Sequence, residues 1–76
     1  MPTEVIAVGP ATAILQNVVY ALPARAGRIH SLAVIEISPD GLTFDALTGA
    51  EGVGADVTSG FVRCPGGNTT VVFRPY

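Results

Sequence analysis

A chain of 76 residues has room for one hydrophobic core, and folding at this size buries only ~60% of the surface that the unfolded chain exposes. Hydrophobic residues make up 49% of it and charged residues only 13%, against ~25% in an average domain, so apolar surface covered by another chain is expected, the alternative being an unusually apolar monomer. A net charge of −2 with four arginines and no lysine excludes a phosphate-binding stripe, and one cysteine with one histidine excludes both an internal disulfide and a closed zinc site.

The opening MPTEVIAVGP has no positive region, so no signal peptide is expected, and no apolar run reaches the ~18 residues of a spanning helix. Its apolar run, Val5-Ile6-Ala7-Val8, is closed by Gly9-Pro10. A run bounded in this way suits a first strand of the domain, or an extended N-terminal arm (residues 1–10) that crosses to a neighbour. On the arm reading, deleting residues 2–8 leaves the β-fold intact and weakens binding to the partner.

Residues 11–20 (ATAILQNVVY) carry helical spacing at Ala11, Ile14, Leu15 and Val18. Thr12, Ile14, Val18 and Val19 are β-branched, however, and favour strands. Two short strands broken at Gln16-Asn17 are predicted. Leu22-Pro23 and Gly27 then mark a bend, because proline has no N–H to give to a ladder. Arg28-Ile29-His30-Ser31-Leu32 leads onward as a strand, and His30 reads as a partly exposed strand residue.

Residues 32–47 (LAVIEISPDGLTFDAL) form the centre of the pattern. Ala33, Ile35 and Ile37 share one face, with Glu36 and Ser38 on the other. Beyond Ser38-Pro39-Asp40-Gly41, Leu42, Phe44 and Ala46 alternate with Thr43 and Asp45. Proline, aspartate and glycine each favour a tight turn, so a hairpin with two regular arms is expected. Residues 48–60 are turn-rich, with Gly49, Gly52, Gly54 and Gly60. The spacing G-x-x-G-x-G is not the dinucleotide fingerprint and no helix pattern follows, so a surface loop ending in a short strand at residues 56–59 is predicted. Phe61-Val62-Arg63-Cys64 and residues 69–74 (TTVVFR), joined by Pro65-Gly66-Gly67-Asn68, read as a second hairpin. The fold class that emerges is all-β: a small single-domain antiparallel β-sandwich or flattened barrel of six or seven short strands.

Catalytic chemistry is not expected. His30 is the only imidazole, and Ser31 beside it points to the opposite face of a strand. Cys64 has Arg63 as its only charged neighbour in sequence and reads as a small apolar strand residue. The carboxylates Glu4, Glu36, Asp40, Asp45, Glu51 and Asp56 are scattered, and no cofactor or metal ligand set is apparent.

Three stretches carry a resemblance. Val18-Val19-Tyr20-Ala21-Leu22-Pro23-Ala24-Arg25, the centre from Ile35 through Gly41 to Phe44, and Phe61-Val62-Arg63-Cys64 with Gly67-Asn68-Thr69-Thr70-Val71-Val72 resemble small structural proteins of tailed bacteriophages. The resemblance runs from Val18 onward. It implies a virion structural role, foremost a capsid decoration (cement) protein on the outer capsid surface, made in the host cytoplasm during assembly. Its implied partners are the major capsid protein and further copies of itself, often as trimers, with no nucleic acid and no membrane. Val5, Ile6 and Val8 of the arm, Leu22, Arg25 and Arg28 around the bend, and Tyr76 are the expected contacts. The alternatives are a head–tail connector, tail or fibre component, or a small ligand-binding β-module.

Overall fold

In the computed structural model, which describes residues 3–76, eight strands form two four-stranded sheets packed face to face as a sandwich. The strands are β1 (Ala11–Ile14), β2 (Tyr20–Ala21), β3 (Ala26–Ser31), β4 (Glu36–Ser38), β5 (Asp45–Ala46), β6 (Ala55–Thr58), β7 (Phe61–Arg63) and β8 (Thr69–Pro75). The first sheet has the order β1-β8-β3-β6 and the second β2-β7-β4-β5, and every neighbouring pair is antiparallel. No helix forms among the described residues.

The chain changes sheet at almost every connection. Among the described residues only β4 and β5 are both consecutive and paired, as a single hairpin. The arches between sheets are tied to one another. The N–H of Asn17, in the β1–β2 arch, donates to the carbonyl of Cys64 at 3.0 Å, and the N–H of Leu22 donates to the carbonyl of Gly60 at 2.8 Å. Gln16 joins the β7–β8 arch through its main-chain N–H to Asn68 Oδ1 (2.8 Å) and its side-chain amide to the Pro65 carbonyl (2.8 Å). Each crossing thus satisfies backbone groups that the ladders leave over.

Two predicted hairpins are corrected. β7 and β8 lie in different sheets and do not pair. Pro65 has no N–H, and the Cys64 carbonyl is taken by Asn17, so no ladder begins at that connection. The central hairpin exists, with Glu36 opposite Ala46 and Ile37 opposite Asp45, but its second arm is only two residues long. The reason lies in the loop. Ser38 Oγ accepts from the N–H of Gly41 (2.8 Å), and Asp40 Oδ1 accepts from those of Leu42 (2.8 Å) and Thr43 (3.1 Å). Donors that a second strand would need are bound by side chains instead. Leu42, expected to share a strand face with Phe44 and Ala46, lies before β5 and is 84% exposed.

Phe73, Val71 and Ile29 of the first sheet pack against Val62, Tyr20 and the buried Ile35 of the second side. Ile6 belongs to this core at 1% exposure, which corrects the arm. The Ala21 N–H donates to the Glu4 carbonyl, the Ile6 N–H to that of Ala21, and the Gly9 N–H to that of Phe73, at 2.7–2.9 Å. Val5 bridges β2 and Val8 bridges β8, both in parallel. The segment spans from one sheet to the other and closes that side of its own sandwich. Residues 1 and 2 of the expected arm lie outside the described residues.

Candidate interaction surface

Strand alternation gives each sheet an inner and an outer face, and the two outer faces differ. That of the second sheet is covered by the chain itself. Ser38, directed outward because its neighbour Ile37 sits opposite core residue Val62, is nevertheless fully buried. Loop 39–44 folds back above it. Gly41 lies against the Phe61 ring, so that a β-carbon there would stand 3.3 Å from Phe61 Cδ2. The Arg63 guanidinium sits 4.1 Å from the centroid of the Phe44 ring while its Nε donates to Glu36 Oε1 at 2.8 Å. Cation–π stacking and an ion pair thus hold the loop down. Inside the loop, the N–H groups of Leu42 and Thr43 and the hydroxyl of Ser38 hold the Asp40 carboxyl below its ordinary range.

The outer face of the first sheet is open. Val71 and Phe73 point inward, so Thr70, Val72 and Arg74 point outward along β8. Val72 lies between Ala11 of β1 and His30 of β3, and Arg74 lies directly opposite Arg28. Arg28 is in turn opposite Asp56 of β6, with Nε to Oδ1 at 3.4 Å. The His30 ring rests on Gly54, where a β-carbon would stand 2.6 Å from Cε1. Gly54 also has φ +83°, so glycine is required there twice over. A shallow hollow of about 350 Å³ opens between His30, Leu32, Thr70 and Val72. A second, of about 430 Å³, is lined by Arg28, His30, Arg74, Pro75 and Tyr76. Leu32, at the first hollow, and Tyr76, at the second, are 88% and 73% exposed. The surface is gently concave, with an apolar centre and two cations at one end.

The contacts expected from the sequence fall into three groups. Ile6 and Leu22 are core residues of this chain, 1% and 5% exposed, and present nothing outward. Ile6 is the single inward side chain of a segment otherwise near the surface, where a short apolar run does not show which member turns in, whereas Leu22 lies in a buried stretch with Tyr20 and Pro23. Val5, Val8 and Arg25 are exposed but lie away from the hollows. Only Arg28 and Tyr76 come together, the guanidinium 6.0 Å from the ring centroid. Sequence reasoning missed Val72, Thr70 and Arg74 and set His30 aside as an ordinary strand residue. The signal was present in TTVVFR, where the apolar partners Val71 and Phe73 assign the alternate positions to the other face. Cys64 is fully buried, with Sγ 3.6 Å from the Val34 carbonyl. Among the described residues no group of three or more His, Cys, Asp or Glu side chains is placed to hold a metal ion.

The chain matches no protein-family model, no curated protein and no solved structure.

Proposed function

We propose that this chain is a virion structural protein, a capsid decoration (cement) protein that docks through the outer face of its first sheet. The observation that carries this reading is the asymmetry of the two faces. Loop 39–44 covers one, down to a fully buried serine, whereas on the other Val72 stays half-buried and the Arg28–Arg74 pair is exposed. Outer faces of antiparallel sheets are commonly solvated, but an open face with an apolar centre in a chain this poor in charge suits contact with another protein. The scarcity of charge and the resemblance of residues 18–76 to phage structural proteins support the same role.

The mechanism is linkage. A protein that binds the assembled capsid and not its dispersed subunits shifts the equilibrium toward the assembled lattice by mass action. If copies associate with one another, as the trimers of similar proteins do, modest contacts on several capsid subunits combine through effective concentration. Quantitative mass spectrometry of purified particles tests the proposal. A copy number near that of the major capsid protein supports a decoration protein. A ratio of a few per cent moves the protein to the neck, tail or fibre, and absence from particles overturns the virion reading.

A further inference from the structure

We propose that the Arg28–Arg74 cross-strand pair is a carboxylate-receiving site, whose occupant is an acidic segment of the protein that covers this face. The inference rests on the docking reading above and specifies the chemistry of the partner. Directly opposed like charges on one face of an antiparallel pair oppose folding. The chain has only four cations, yet it places two of them opposite each other on its open face. Asp56 does not resolve the repulsion. It lies on β6, on the far side of Arg28 from β8, and pairs with Arg28 alone. Among the described residues Arg74 has no ion-pair partner.

The other carboxylates are engaged or placed elsewhere. Glu36 holds Arg63, Asp40 closes its own loop, and Asp45 lies on β5 of the second sheet. Glu4 sits beside Ala21 and Glu51 bridges Ser31, and neither lines the second hollow. The second hollow, between Arg28, His30, Arg74, Pro75 and Tyr76, therefore has two guanidinium groups and an imidazole on its walls and no aspartate or glutamate among its lining residues. Guanidinium forks match carboxylate geometry in a bidentate manner, and the Tyr76 ring, its centroid 6.0 Å from the Arg28 guanidinium, supplies an apolar wall on one side. A polyanion fits poorly. Nucleic-acid binding draws on ~6–10 phosphate contacts, and this site offers two arginines on a chain of net charge −2. A protein segment bearing one or two carboxylates matches the number of cations present.

The test is a two-dimensional NMR titration of the full chain with acetyl-(Gly-Glu)₃-amide, with the glutamine peptide and a hexathymidylate as controls. The expected result is saturable shifts at the amides of Arg28, His30, Arg74 and Tyr76, with the glutamate peptide only. Arg74→Gln should weaken this binding about tenfold or more while raising the melting temperature by about 2 °C, because the opposed charges are relieved. Shifts that are absent, equal with the glutamine peptide, or centred on Arg25 or Arg63 overturn the proposal. Equal or tighter binding of the oligonucleotide overturns the choice of carboxylate. Particle binding by Val72→Asp and Arg74→Gln separates the two levels. Loss with the first and not the second keeps the docking face and overturns the carboxylate site. If neither variant changes particle binding, the docking face fails, and the peptide titration still decides the arginine pair.

Discussion

The α-carbon of Gly60 packs against the carbonyl oxygen of Ser38, so closely that a β-carbon on Gly60 would stand 2.5 Å from it. Gly60 follows Ser59 in the arch that carries the chain from the first sheet to the second, with φ of +119° and +87° for the two residues. Gly60→Ala combines a left-handed backbone with a clash against main chain, which cannot rotate away. The expected loss is about 2–4 kcal/mol of stability by urea unfolding. A loss under about 0.5 kcal/mol would mean that the arch can move away from β4.

Arg63 reaches both Phe44 and Glu36, and this joint contact closes loop 39–44 over the second sheet. A double-mutant cycle of Arg63→Ala and Phe44→Ala should return a coupling of about 0.5–1 kcal/mol. Both side chains of the Arg63–Glu36 pair retain solvent contact, so the ion pair adds about 1 kcal/mol at most. Additivity of the two single changes would show that the ring and the guanidinium stabilise the loop independently.

Asp40 makes loop 39–44 sensitive to acid. Its folded-state pKa lies below the ordinary value of 3.8, chiefly through the N–H groups of Leu42 and Thr43. A lowered carboxylate pKa contributes stability that is fully present above the unfolded value and is lost as pH falls through the folded value. Melting temperatures recorded downward from pH 5 should therefore drop below about pH 4. Asp40→Asn, which keeps the acceptor oxygen and removes the charge, should flatten that part of the profile. An unchanged slope in the variant would assign the acid sensitivity to other groups.

Ile6 ties the first segment into the core, in contrast to the arm expected from the sequence. Ile6→Ala should cost about 2–5 kcal/mol, the range for truncating a buried aliphatic side chain. Deleting residues 2–8 should lower stability still more, because the two backbone hydrogen bonds that Glu4 and Ile6 make to Ala21 go with it. A truncated chain with native circular dichroism and unchanged urea midpoint would restore the arm.

Cys64 should be silent to thiol reagents in the folded protein. Its side chain is fully buried, and reaction requires the thiolate to meet the reagent. Ellman's reagent should report less than about a tenth of a thiol in native buffer, and one per chain in urea. Rapid native labelling would place Cys64 in a segment that opens without global unfolding.

Length, composition and the period-two alternation determined the class of this protein. They yield short strands and turns and an apolar surplus, because alternation is a local property that any strand displays whichever sheet it joins. The breaks at Gln16-Asn17 and Leu22-Pro23 and the strand near Asp56 were legible on the same grounds, since each rests on the chemistry of two or three adjacent residues. Partnership was not legible. A four-residue Pro-Gly-Gly-Asn link serves a hairpin or an arch equally well, and here Asn17, 47 positions from Cys64, decided between them by taking a carbonyl. The inward turn of Ile6 and the side-chain capture of the donors after Ser38 likewise depend on groups that meet only in the folded chain. The proposed interaction face belongs to the same category. Arg28 and Arg74 are distant in sequence and become neighbours only because β3 and β8 pair in one register, and a shift of one residue would turn every side chain to the opposite face. Local geometry thus set the elements, and long-range packing set which surfaces they share and which they leave open.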